Sequence, residues 1–152
     1  MDDTLRQRLE ADLKTAMRER DAATRDAIRF ILAAVKNMEI ERRGALTPQD
    51  EVTVLRRLEK QLTDAIAQYE AANRPELAAH EEAQLRVVQR YLPTALSDEE
   101  LQALVSSVIA ETDAKGPKDL GKVMPVLMQR AAGRAEGKRL SEAARAQLSG
   151  QG

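Results

Sequence analysis

An all-α fold is what this sequence predicts: a four-helix bundle-like N-terminal domain followed by a small three-helix C-terminal domain. Three observations carry the expectation. Apolar residues recur at three- and four-residue spacing through nearly every segment, as the buried stripe of an amphipathic helix requires. Helix start and stop signals punctuate the chain, from Thr4 and Thr47-Pro48 to Ser97-Asp98-Glu99-Glu100. Strong helix formers dominate and β-branched runs are nearly missing. Only Phe30, Tyr69 and Tyr91 are aromatic, so the core must be aliphatic. In 152 residues, 43% of them hydrophobic, one domain or two small ones can close over such a core.

The first helix is capped by Thr4 and carries Leu5, Leu9, Leu13 and Met17 four residues apart. Asp21 opens the second, with Ile28, Ile31, Leu32, Val35 and Met38 on one face. Gly44 stops it after Arg42 and Arg43, cations suited to the negative end of the helix dipole. Thr47-Pro48-Gln49-Asp50 combines a capping threonine, proline at the first helical position and an acid in the first turn. The third helix runs through Val52, Leu55, Leu58, Leu62, Ile66 and Tyr69 to Ala72; at 1.5 Å per residue it is roughly 37 Å long. Asn73-Arg74-Pro75 breaks it, and a fourth helix carries Leu77, Leu85, Val88 and Leu92 up to Pro93.

Pro93 to Ser97 is the predicted boundary between domains at 1–93 and 97–149. Ser97 with Glu100 forms a capping box for a fifth helix that buries Leu101, Leu104, Val105, Val108 and Ile109 and ends at Gly116-Pro117. The sixth begins near Asp119 and presents Leu120, Val123, Met124, Leu127 and Met128; Pro125 within it predicts a kink or a later start. Gly133 and Gly137 bracket a turn, Ser141 caps a seventh helix through Leu148, and Ser149 to Gly152 should fray. A C-terminal unit this short has little core of its own to spare.

Several function classes fall away. With no cysteine there are no disulfides, thiolate metal sites or thiol nucleophiles. The N-terminus lacks the basic and apolar runs of a secretory signal, and no uncharged apolar stretch reaches the roughly 18 residues of a membrane span. A soluble cytoplasmic protein without membrane contact is therefore expected. No phosphate-binding glycine loop, nucleophile triad, dinucleotide fingerprint or carboxylate-histidine cluster is present, so no catalytic residue, cofactor or metal is expected. His80, the only imidazole, lies one turn from Glu76 and Gln84 on a solvated polar face. Acids and bases at helical spacing, such as Glu81 and Glu82 before Arg86 and Arg90, predict surface ion pairs.

Charge is uneven within a total of −1: from residue 114 onward eight cations face three acids, a net of +5. Lys118, Lys122, Arg130, Arg134, Lys138 and Arg139 are the candidate phosphate-facing residues. Glycines at 116, 121, 133 and 137 let backbone approach another surface, and basic residues beside a helix N-terminus suit phosphate. The alternative is that glycines end these helices and the cations solvate them. No aromatic interleaves the cations, so RNA contact would read backbone and shape and be salt-sensitive. A secondary basic face on the second helix comprises Arg25, Arg29 and Lys36, whose alkyl stems could equally cover the edge of the core.

Five pieces in order resemble the YqeY-like family across almost the whole chain. They are Arg29 to Glu41, Lys60-Gln61, Tyr91-Leu92-Pro93 ahead of Leu96-Ser97, Gly121-Lys122-Val123-Met124, and Gly133 to Lys138. Glu136 stands where that family more usually has aspartate, and Pro125 is unusual for its helix. The resemblance implies a helical bundle with a three-helix tail akin to the C-terminal region of the GatB subunit of tRNA-dependent amidotransferases. It also implies a link to tRNA or another structured RNA, and to carbon–nitrogen ligation with glutamine as amido donor. A ligase needs an ammonia-releasing nucleophile and a nucleotide site, and the sequence offers neither. The expectation is thus a non-catalytic, RNA-associated helical protein. The alternatives are an adaptor for an amidotransferase or translation complex, or an accessory subunit whose active site lies on another chain.

Overall fold

A computed structural model describes residues 3–150, and every regular element among them is helical. In order these are α1 (Leu5–Arg18), α2 (Ala22–Arg42), α3 (Pro48–Ala71), α4 (Pro75–Tyr91), α5 (Asp98–Thr112), α6 (Leu120–Ala131) and α7 (Gly137–Gly150). A single 3-10 turn at Pro117–Asp119 leads into α6. The chain divides into two units, Met1–Leu92 and Pro93–Gly152. Capping boxes start α1, α3 and α5, pairing Thr4 with Gln7, Thr47 with Asp50 and Ser97 with Glu100, while Asp21 alone caps α2.

In the first unit the core gathers Leu5 and Leu9 of α1, Ile28, Ile31, Val35 and Met38 of α2, Val54, Leu55, Leu58 and Leu62 of α3, and Val87, Val88 and Tyr91 of α4. The expected α1 stripe does not hold to its end: Ala16 is buried and Met17 is 52% exposed. A strict four-residue repeat advances about 40° per step around a helix of 3.6 residues per turn, so Met17 has rotated off the face that Leu5 occupies. Polar ties set the register. The Glu51 carboxylate accepts the Leu5 N–H at 2.6 Å, Arg6 pairs with Glu39, and Arg42 pairs with Asp50 at 3.2 Å. The Tyr91 hydroxyl donates to Asp12 at 2.5 Å, and the Arg8 guanidinium lies 5.3 Å from the Tyr91 ring centre. This core stops at Leu62 in α3 and resumes at Leu85 in α4, leaving Ile66, Tyr69, Leu77 and Ala78 outside it.

The second unit closes over Leu101, Val105, Val108 and Ile109 of α5, Val123, Leu127 and Ala131 of α6, and Leu140, Ala143, Ala144 and Leu148 of α7. Three boundaries differ from expectation, at the ends of α2 and α5 and the start of α7. Helix α2 ends at Arg42 because Arg43, ahead of Gly44, takes the left-handed conformation (φ 57°). Helix α5 ends at Thr112 rather than Gly116, since Asp113 turns left-handed (φ 54°). Helix α6 starts at Leu120, beside the expected Asp119, and continues through Pro125, so the later start is not taken. Helix α7 starts at Gly137, so Ser141 is no cap; its hydroxyl donates to the Lys138 carbonyl at 3.0 Å inside the helix. The earlier start places Leu140 in the core at 2% exposure, which outweighs the cap.

Candidate nucleic-acid interface

Helices α5 and α7 lie side by side and run the same way. The Arg139 guanidinium donates to the Leu96 carbonyl at 2.7 Å and to Asp98 at 2.8 Å. Farther along, the Gln147 amide donates to the Gln102 carbonyl at 2.9 Å while its oxygen accepts from Ser106 at 2.7 Å. Arg134 is engaged in the same manner: Nε donates to the Thr94 carbonyl at 2.8 Å, Nη2 reaches Glu100 at 3.4 Å, and its own carbonyl accepts the Leu96 N–H at 2.8 Å. Arg130 forks onto both oxygens of Glu111 at 2.8 and 2.9 Å, and that hydrogen-bonded carboxylate raises the guanidinium pKa.

The three arginines predicted to face phosphate are thus committed to partners within the unit, whereas the three lysines are not. Lys118, Lys122 and Lys138 are exposed and take part in no ion pair among the described residues. Nor do the six converge. The Lys115 ammonium, 2.8 Å from Asp113, holds that carboxyl below its usual range, and Lys122 adds a weaker pull, so Lys122 sits by the C-terminal end of α5. Arg134, Lys138 and Arg139 gather at the other end, beside Asp98 and Glu100; 15 residues of α5 separate the two groups by roughly 22 Å. Acids that the count from residue 114 omitted also matter, because from Pro93 onward eight cations face eight acids. Glycine does leave backbone open here: a Cβ at Gly116, Gly121 or Gly137 would meet nothing within 4 Å.

On α2, Arg25 pairs with Asp26 at 3.0 Å, while Arg29 and Lys36 are exposed without ion pairs among the described residues. Arg25 and Arg29 line a shallow cleft of about 210 Å³ together with Met17, Arg20 and Asp21. Arg20 was not singled out in the sequence, because only the left-handed turn it forms (φ 58°) brings it to α2. Asp21 is occupied: hydrogen bonds from Thr24 hold its carboxyl below the usual range. His80 is exposed, as expected of a solvated imidazole. The expected lacing of Glu81 and Glu82 to Arg86 and Arg90 is not found among the ion pairs of the described residues; side-chain entropy outweighs a contact of so little worth in water. Among the described residues no acidic or histidine group is placed to hold a metal, and no helix is long and apolar enough to cross a membrane.

A family model described as Yqey-like protein matches residues 6–148. Curated relatives carry the name Altered inheritance of mitochondria protein 41, mitochondrial. The one from Pyrenophora tritici-repentis is 31% identical over 131 residues, covering 84% of this chain and 71% of that relative. Those from Vanderwaltozyma polyspora and Meyerozyma guilliermondii are 38% and 33% identical over 87 residues, 55% of this chain. The matched stretch spans less than half of these two relatives, 46% and 44% of their lengths. The expected cytoplasmic location is overturned by this comparison, since the relatives are mitochondrial by name. That expectation rested on two absences, of a secretory-signal pattern and of a long apolar stretch, and such absences establish no compartment.

Proposed function

This chain belongs to the YqeY-like family, and on that premise we propose that it is a helical, RNA-associated accessory that supplies no active site of its own. In this reading α1 to α4 form a bundle-like body and α5 to α7 a tail that meets the sugar-phosphate backbone of tRNA. Glutamine-dependent carbon–nitrogen ligation, where it occurs, belongs to another chain. One observation carries the proposal: Lys118 and Lys122 stand exposed and without ion pairs among the described residues, flanked by glycines whose missing side chains leave backbone approachable, while the arginines around them serve the fold. Two or three ammonium groups on phosphate predict modest affinity with a salt slope of about −2 to −3, a loss of roughly 15- to 60-fold between 50 and 200 mM salt. Gel-shift titration of tRNA against the intact chain and a Lys118→Ala/Lys122→Ala variant measures this. Affinity indifferent to both salt and the double substitution would remove the tail as the RNA face. An adaptor role finds separate support in the apolar side chains of α3 and α4 that the core leaves outside.

A further inference from the structure

We infer that the distal half of the α3–α4 hairpin, residues 63–84, is a docking surface for a basic amphipathic α-helix of a partner protein. Nearer the chain's own core, α2 packs against both helices of the hairpin, and its Ile28, Ile31 and Val35 share one apolar cluster with Leu55, Leu58, Leu62, Val87 and Val88. Beyond Leu62 that cluster ends. Ile66 and Tyr69 are left half-buried and Leu77 is 41% exposed, so the seam between α3 and α4 continues without a third apolar face to close it. A helix laid there would complete the layer that α2 completes on the other half, anchoring on side chains at i, i+3 and i+4 spacing.

Charge decides which helix. Residues 63–84 hold Asp64, Glu70, Glu76, Glu81 and Glu82 against Arg74, a net of −4 in a chain whose total is −1. Lys60 takes up Asp64 at 3.1 Å, but the other four carboxylates make no ion pair among the described residues. Uncommitted carboxylates on the same stretch of hairpin as the open apolar side chains favour a lysine- or arginine-rich partner and repel a polyanion. It also disfavours a second copy docked through the same face, which would set −4 against −4. The surface is independent of the tail lysines, so it stands or falls apart from the RNA reading.

The probe is a fluorescein-labelled 20-residue helix of leucine and lysine, with a leucine–glutamate helix as its charge-reversed counterpart, titrated by anisotropy against the intact chain. The cationic helix should bind, the acidic one should not, and amide shifts in nuclear magnetic resonance should cluster around Tyr69 and Leu77. Glu76→Gln/Glu81→Gln/Glu82→Gln should weaken binding about tenfold or more, and Leu77→Ala should do the same. The glutamine variant removes charge while keeping side-chain size, so it remains decisive even if Leu77→Ala melts early. Unchanged affinity in the glutamine variant, or shifts clustered elsewhere, would overturn the proposal. So would tRNA protection of the hairpin, or self-association in sedimentation that Leu77→Ala abolishes. Lys118→Ala/Lys122→Ala should leave the peptide affinity intact.

Discussion

Arg139 separates a residue that holds the fold from one that meets a ligand. Its side chain is 35% exposed and reaches two acceptors from different points of the chain, the Leu96 carbonyl at 2.7 Å and Asp98 at 2.8 Å. A charge-assisted bond to a part-buried carbonyl is worth about 1.5–3 kcal/mol. The pairing with Asp98 adds little, because that carboxylate is 95% exposed and water screens it. Arg139→Ala should therefore cost about 2 kcal/mol, lowering the melting temperature of a unit this small by roughly 10 °C. Arg139→Lys keeps the charge but not the fork, and should recover less than half of the loss. Urea denaturation followed by far-ultraviolet circular dichroism reads both variants, and tRNA titration of the folded alanine variant should show unchanged affinity. A cost below about 0.5 kcal/mol, full recovery by lysine, or a clear loss of tRNA affinity at full stability would refute the assignment.

Pro125 deprives the Gly121 carbonyl of its helical donor while standing exposed, so Pro125→Ala should raise stability by about 2 kcal/mol; a lower urea midpoint would show that the proline is needed where it is. Ala132 holds φ 50°, a left-handed geometry that costs a residue with a Cβ, and Ala132→Gly should gain about 0.5–1 kcal/mol in the same assay. Backbone N–H groups of Thr47 and Ser97 hold the Asp50 and Glu100 carboxyls below their usual range. Their folded values lie under the unfolded ones, so this stabilisation is complete above the ordinary carboxylate range near ~4 and is lost as pH falls through the depressed values. The urea midpoint should drop over that window, and Glu100→Gln should flatten the drop; an identical profile would exclude the capping carboxylate as its source.

Local chemistry made most of the helices legible. Thr4, Thr47 and Ser97 cap where their side chains and the residue three positions on say they should, because a capping box needs only neighbours in sequence. Ser141 misled for the same reason: a good cap residue competes poorly with burying Leu140, and burial is settled by packing against α5 and α6. Met17 and Leu77 fit a helical period yet lie exposed, since a period identifies a face without saying how far the neighbouring helices cover it. The tail cations were visible as residues but not as partners. Arg134 and Arg139 spend their guanidiniums on groups 34 to 43 positions away, and Arg130 on one 19 away. Tertiary structure alone distinguishes them from Lys118 and Lys122.

The strap at Thr94 to Leu96 bears on where the second unit could be cut from its chain. Both guanidiniums and one backbone bond grip it, although it precedes the capping serine that reads as the natural cut. A gene fusion that begins the tail at Ser97 would strip its arginines of their carbonyls and uncover the pocket Leu96 fills. The transferable cassette starts at Thr94, and a graft made there should arrive folded.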